Sequence, residues 1–153
     1  GDFVKKSIMN LLSLLMIVTL VIAIFPNMSS AASEIHITNI SGTTTPSTTS
    51  KPKDYLHFYS SKDTVKVNIK VDQWIKTKSN KTLHVELQKS NGIWWSKKAS
   101  RTLKNTSPIT FTHNGGPGDY RLVIYDAHER TMYDKPPLYY AKSTKYSGKV
   151  TGY

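Results

Sequence analysis

Five histidines are spread along the chain, at His36, His57, His84, His113 and His128, and no two sit at a spacing that would serve one metal. Zinc takes three or four side-chain ligands at closely defined spacings, so neither a metal nor any other cofactor is expected. Asp126, His128, Glu129 and Asp134 gather in the run YDAHERTMYD. Calcium wants six to eight oxygens. The acids here are too few, no D-x-D-x-D-G loop frames them, and Arg130 intervenes, so the run reads as a solvated loop. Serines are numerous, but none stands in a G-x-S-x-G setting, and there is no Cys to act as a nucleophile. Paired hydrolytic carboxylates need not be neighbours in sequence, yet the acids of this chain are few and lie mostly near turns. No catalytic activity is expected.

The aromatic residues carry more information. Trp94 and Trp95 are adjacent, so on a strand they point to opposite faces. One is expected to enter the core and the other to lie outward or at an edge, beside Lys97 and Lys98. An exposed indole there would stack on a sugar ring or sit among lipid headgroups. Trp74 follows Asp72 at a strand end, near Lys76, Lys78 and Lys81. Tyr133, Tyr139, Tyr140, Tyr146 and Tyr153 interleave with Lys135, Lys142, Lys145 and Lys149. Rings set among cations grip polyanions by stacking and cation–π attraction. The same rings also suit the edges of a small core.

These side chains must be positioned by strands. TVKVNIKV, residues 64–71, places Val65, Val67, Ile69 and Val71 on one face, with Lys66, Asn68 and Lys70 on the other. TLHVELQK, residues 82–89, repeats the pattern with Leu83, Val85 and Leu87 inside and His84 facing solvent. Ser90-Asn91-Gly92 predicts a hairpin turn, with a returning strand over 93–97. PITFTH, residues 108–113, predicts a further strand, and NGGPG, residues 114–118, a turn. DYRLVIYD, residues 119–126, alternates Tyr120, Leu122 and Ile124 against Arg121, Val123 and Tyr125, all bulky, as in a central strand. Residues 138–142 and 145–153 read as extended. Ahead of these, EIHITNI (34–40) begins an alternation that fails at Asn39. A Ser/Thr/Pro tract then runs from Ser41 to Lys53 and reads as a linker, so the first strand should be short and loosely paired.

Several short strands punctuated by Gly, Asn and Pro predict an all-β fold, an immunoglobulin-like antiparallel β-sandwich of seven or eight strands. Gly118-Asp119-Tyr120 opens a late strong strand, where a Tyr hydroxyl can fold back onto a corner backbone group. The Cys pair of antibody domains is absent, so the likeness is one of architecture.

Ahead of the strands lies a leader. Lys5 and Lys6 precede an apolar run from Ile8 to Phe25. Pro26 and the small-residue stretch MSSAAS follow. These are the three parts of a secretory signal peptide, expected over residues 1–32 with cleavage after Ala32 or Ala31. Asn10, Ser13 and Thr19 dilute the run and Pro26 breaks it, which disfavours an uncleaved membrane span. Residues 33–53 then form an N-terminal strand and linker, and 54–153 the sandwich domain, long enough to hold a real core. The chain has 21 basic against 10 acidic side chains, a formal charge of +11, and losing Lys5, Lys6 and Asp2 leaves that excess nearly intact. Such a balance favours polyanionic partners and deters self-association. A cysteine-free exported chain suits a Gram-positive secretome.

A basic leader ending in small residues, a Ser/Thr-rich N-terminal stretch, a short cysteine-free β-domain and the GDYRLVIYD strand together resemble the secreted YolA-like proteins of Bacillus and its relatives, a family of unknown function. The resemblance covers most of the chain after the leader. It implies a secreted β-sandwich and brings no catalytic residue.

The expectation is therefore a monomeric extracellular protein, free or wall-associated, that binds anionic wall polymer or a membrane surface. Lys66, Lys70, Lys97, Lys98 and Arg101 would supply charge, and Trp94 or Trp95 a stacking surface. No specific nucleic-acid partner is expected. The alternative is an effector or inhibitor that recognises a protein through the Tyr-rich C-terminal segment, since Tyr is large, rigid and amphipathic.

Overall fold

A computed structural model describes residues 32–44, 53–76, 81–126 and 143–153. The leader through Ala31, most of the Ser/Thr/Pro tract, the acidic loop beyond Asp126, and Tyr133, Tyr139 and Tyr140 lie outside the described residues. Eight strands follow in chain order: β1 (Ile35–Thr43), β2 (Asp54–Ser60), β3 (Thr64–Lys76), β4 (Leu83–Ser90), β5 (Trp95–Leu103), β6 (Ile109–Asn114), β7 (Gly118–Asp126) and β8 (Ser143–Gly152). They form two four-stranded sheets, β1-β8-β3-β6 and β2-β7-β4-β5, and every pairing is antiparallel.

The order has a simple logic. β4 pairs with β5, β3 with β6, β2 with β7 and β1 with β8, so the chain is one long hairpin whose tip is the β4–β5 turn. Wrapping that hairpin brings β8 beside β3 and β7 beside β4. The result is the two-Greek-key order of a jelly roll. The likeness to an immunoglobulin domain holds for the two-sheet sandwich and for the corner tyrosine. Tyr120 is fully buried, stacks on Phe58 at 5.8 Å, and donates its hydroxyl to the Gly116 carbonyl at 2.6 Å.

The core is built from the alternating residues of the two inner faces. Val65, Val67, Ile69 and Val71 of β3 meet Leu83, Val85 and Leu87 of β4 and Tyr120, Leu122 and Ile124 of β7, all at most 1% exposed. Each such side chain contributes about 1.5–3 kcal/mol by leaving water. Val123, on the outer face of β7, is buried too, which marks β7 as a central strand.

Two expectations need correction. The first strand is neither short nor loose: β1 spans nine residues and pairs along its length with β8. A register shift between His36 and Thr38 resets the alternation, so Ile37 packs on the core and Ile40 is buried. This is why period two fails at Asn39. Ser41, Gly42 and Thr43 belong to the strand, since backbone pairing with Ser147, Tyr146 and Lys145 does not require apolar side chains. A Cβ at Gly42 would collide with the Tyr146 ring, so glycine there lets the ring in. The compact unit accordingly begins at Glu34, and β1 is part of the sandwich, outside any linker.

The second correction concerns Tyr146 alone among the described C-terminal tyrosines, since Tyr153 is 38% exposed. Tyr146 is 5% exposed and donates to Asp54 Oδ2 at 2.8 Å; burial, then that carboxylate, hold its phenol far above its ordinary range. β8 is an interior strand between β1 and β3. Beside it Asp126, 4% exposed, accepts hydrogen bonds from the Thr44 and Thr144 hydroxyls. These ties close the sandwich where β1, β7 and β8 meet.

Candidate functional site

The outer face of β2-β7-β4-β5 concentrates rings and cations. On β2 the inner positions Leu56 and Phe58 pack on the core, which turns Tyr55, His57 and Tyr59 outward. Tyr55 is 51% and Tyr59 61% exposed. Strand register then sets their neighbours. His57 lies opposite Arg121, Arg121 opposite Gln88, and Gln88 opposite Lys97, so one row of four polar side chains crosses the whole sheet. Ser90 pairs with Trp95 at the next outward position.

Within this face the guanidinium of Arg121 lies 4.9 Å from the Tyr55 ring centre and 4.4 Å from that of Trp95. Its Nε donates to Gln88 Oε1 at 2.8 Å, which fixes the plane of the fork. No other side-chain hydrogen bond of Arg121 occurs among the described residues. His57 meets the Trp95 ring edge-on at 5.2 Å and stacks obliquely with Tyr55 at 6.4 Å. The polar lattice continues from Gln88 to Glu86 and from Glu86 to the Tyr125 hydroxyl. His84 stacks on Tyr125 at 5.1 Å and hydrogen-bonds Thr102 through Nδ1. Burial and Glu86 raise the Tyr125 phenol above its ordinary range. A depression of about 340 Å³ between His57, Ser90, Trp95 and Asp119 opens onto solvent.

Such a surface binds without enclosing. Ring faces offer flat apolar area for the C–H side of a sugar, and the guanidinium fork, lysine and amide beside them meet hydroxyl or anionic groups. Among the described residues no three His, Cys, Asp or Glu side chains gather into a metal-holding group.

The candidate binding residues singled out from sequence are distributed over five places. Lys66 and Lys70 project from the outer face of the other sheet, where Lys66 pairs with Glu34 at 2.5 Å and Lys70 with Asp72 at 3.3 Å. Trp95 and Lys97 belong to the aromatic face. Trp94 is not on a strand. It closes the β4–β5 turn and is 72% exposed. Neither indole enters the core, because β5 starts two residues later than the pattern predicts. Lys98 is the extra residue at a register shift in β5 and lines a separate depression with Lys89 and His113. Arg101 sits opposite Val85 and covers the Phe111 ring at 5.5 Å, closing the flank between edge strands β5 and β6. Lysines and a bulge on an edge strand also block edge-to-edge pairing. Trp74, grouped with the exposed rings by sequence, packs against the core.

Tyr55, His57, Tyr59, Gln88 and Arg121 escaped the sequence reading. In DYLHFYS both alternating sets are bulky, so period two carries no contrast in hydropathy, and nothing local reveals that β2 lies beside β7. The available signal was Arg121, a cation at an outward position of an otherwise apolar central strand. No protein-family model matches this chain and no characterised protein matches its sequence, so the roles of these residues rest on the geometry of the face.

Proposed function

We propose that the protein is an extracellular binding module that carries out no chemical step and holds an anionic glycan polymer of the cell surface across the outer face of β2-β7-β4-β5. The observation that carries this reading is the Tyr55–Arg121–Trp95 stack. A guanidinium between the exposed Tyr55 ring and the half-buried Trp95 ring, oriented by Gln88, gives adjacent apolar and cationic surface at little ordering cost. Tyr59, His57 and Lys97 extend it along a path long enough for successive residues of a polymer. Export by the leader and the positive charge of the chain fit the same setting. Open, flat geometry supports binding over catalysis, which needs convergent groups around an enclosed reacting atom.

Sedimentation of the purified protein with insoluble, anionic cell-wall glycan tests the reading. Retention is expected at low salt and should fall steeply as ionic strength rises past about 0.15 M, where the screening length is about 8 Å. Stacking should leave a residual salt-resistant fraction that Trp95→Ala removes. Retention unaffected by Trp95→Ala would overturn the assignment of the face.

A further inference from the structure

The tip of the long hairpin is chemically unlike the face beside it. Ile93 is 81% exposed and Trp94 72%, the most exposed large apolar side chains among the described residues, and they are consecutive. The turn that carries them is rigidly built. The Asn91 side-chain oxygen accepts from the backbone N–H of Ile93 at 3.1 Å and of Trp94 at 2.7 Å. The Asn91 N–H donates to the Trp94 carbonyl, and Gly92 supplies the positive φ of 92°. The fold therefore holds two large apolar side chains out in water, where they forgo the gain of burial.

Immediately behind them lies a depression of about 390 Å³ whose lining includes Lys89, Lys98, His113 and the hydroxyls of Ser90 and Ser96, and no carboxylate. Lys89 is anchored by donating to the Gly115 and Gly116 carbonyls and lies 5.3 Å from the Tyr120 ring centre. Lys98 arrives from the β5 bulge. The three basic groups face one volume: burial, then Lys98, then Lys89, hold the His113 imidazole below its ordinary range. The positive charge available to an anion there comes from the two lysines.

We propose that this tip is a docking site for an anionic phospholipid bilayer, with Ile93 and Trp94 entering the headgroup–acyl boundary and a lipid phosphate seated between Lys89, Lys98 and His113. Trp favours that boundary because its ring is apolar with one polar edge, and lysines near an anionic leaflet are attracted to it. Two apolar side chains and two lysines make a weak, reversible, salt-sensitive contact. The depression is distinct from the one on the aromatic face; Ser90 lines both, and Lys89 and His113 lie against Tyr120, which lines the other.

The test is co-sedimentation of the full chain with vesicles of phosphatidylglycerol and phosphatidylcholine, alongside vesicles of phosphatidylcholine alone. Binding is expected to the anionic vesicles only, with a blue shift in tryptophan emission that disappears in Trp94→Ser. Ile93→Ser/Trp94→Ser should abolish vesicle binding, and Lys98→Ala should weaken it roughly tenfold, the loss expected for one charge-assisted contact. Both variants change exposed residues, and glycan retention through Trp95 should stay as in the parent protein, which separates failure of this proposal from failure of the glycan reading. Vesicle binding indifferent to Ile93→Ser/Trp94→Ser would overturn it. So would a saturable shift of the His113 resonances with inorganic phosphate in a protein that ignores vesicles, which would assign the depression to a small soluble phosphate.

Discussion

The two outer faces of the sandwich have similar backbones and opposite chemistry. On β1-β8-β3-β6 the outward side chains satisfy one another: Lys66 pairs with Glu34, Lys70 with Asp72, Ser147 donates to the same Asp72, and Asn68 donates to Thr110. On β2-β7-β4-β5 the outward row holds Tyr55, His57, Tyr59, Trp95 and Arg121, with the cation fixed between rings. Lys66 and Lys70 on the first face have carboxylate partners already in place. The cation of the second is held against aromatic carbon, and among the described residues its side-chain hydrogen bond is to Gln88 alone. A basic composition therefore does not mark a binding face by itself. What marks it is cationic charge set beside ring surface.

The strongest way to test this contrast also shows what to avoid. Deleting residues 143–153 removes β8, which pairs with both β1 and β3, and with it Tyr146, Val150 and the Thr144 contact to Asp126. Circular dichroism and urea titration should find no cooperative unfolding, because the lost burial of Tyr146 and Val150 alone costs several kcal/mol, roughly the stability of a small domain. Loss of binding in such a variant carries no information about a Tyr-rich interaction surface. A soluble, cooperatively folding truncation would show that the first sheet does not depend on β8.

Next in size is the indole. Trp95→Ala should weaken glycan retention by roughly tenfold to a hundredfold, the effect of removing one stacking platform of about 1–3 kcal/mol, and leave the urea midpoint almost unchanged, since the ring is only half-buried. The double variant Lys66→Met/Lys70→Met should change retention less than twofold at physiological salt. Equal losses from the two variants would erase the distinction between the faces, and retention would then follow net charge alone.

Much of this fold was legible because the signal was local. β3 and β4 alternate apolar and polar residues through the core, β7 is bulky on both faces as a central strand is, and Asn91-Gly92 and the NGGPG run punctuate them where turns occur. β1 was underrated because its bulge shifts the phase between His36 and Thr38, and because Ser41 to Thr43 pair through backbone groups that composition does not register. The site was less legible for a different reason. Arg121 is placed between Tyr55 and Trp95 by the β2–β7 and β4–β5 pairings, and the long-hairpin wrapping that creates those neighbours leaves no trace at any single residue. Trp95 and Lys97 were among the basic and aromatic residues that the sequence points to, together with Trp94 and Lys98 and with the choice of indole open. Their partners were not.

The fork of Arg121 offers a finer probe. Arg121→Lys keeps the charge but loses the planar group that fits between two rings and the Nε donor to Gln88. Retention should fall about fivefold, less than for Trp95→Ala, with most of the loss persisting at high salt because it comes from geometry. A lysine variant that binds as well as the parent would show that position 121 acts as a point charge, much like the lysines of the opposite sheet.

The smallest expected effect bears on the opposite face. The Lys66 ammonium holds the Glu34 carboxyl below its ordinary range, with help from Thr151 and Lys149, and Glu34 in turn raises Lys66 above its own. A carboxyl whose folded-state value is lowered stabilises the fold above the ordinary glutamate range and loses that contribution as pH falls through the lowered value. Glu34→Gln should therefore flatten the decline of the urea midpoint between pH 5 and 3, slightly, because the pair lies at the surface. The same substitution releases Lys66 at neutral pH. If pairing is what keeps the first face inert, glycan retention should rise in Glu34→Gln, by less than twofold, and the increase should vanish when Lys66→Met is added. An increase that cancels the loss caused by Trp95→Ala would mean that freed lysines can replace the aromatic platform. The difference between the two faces would then be one of ion pairing alone.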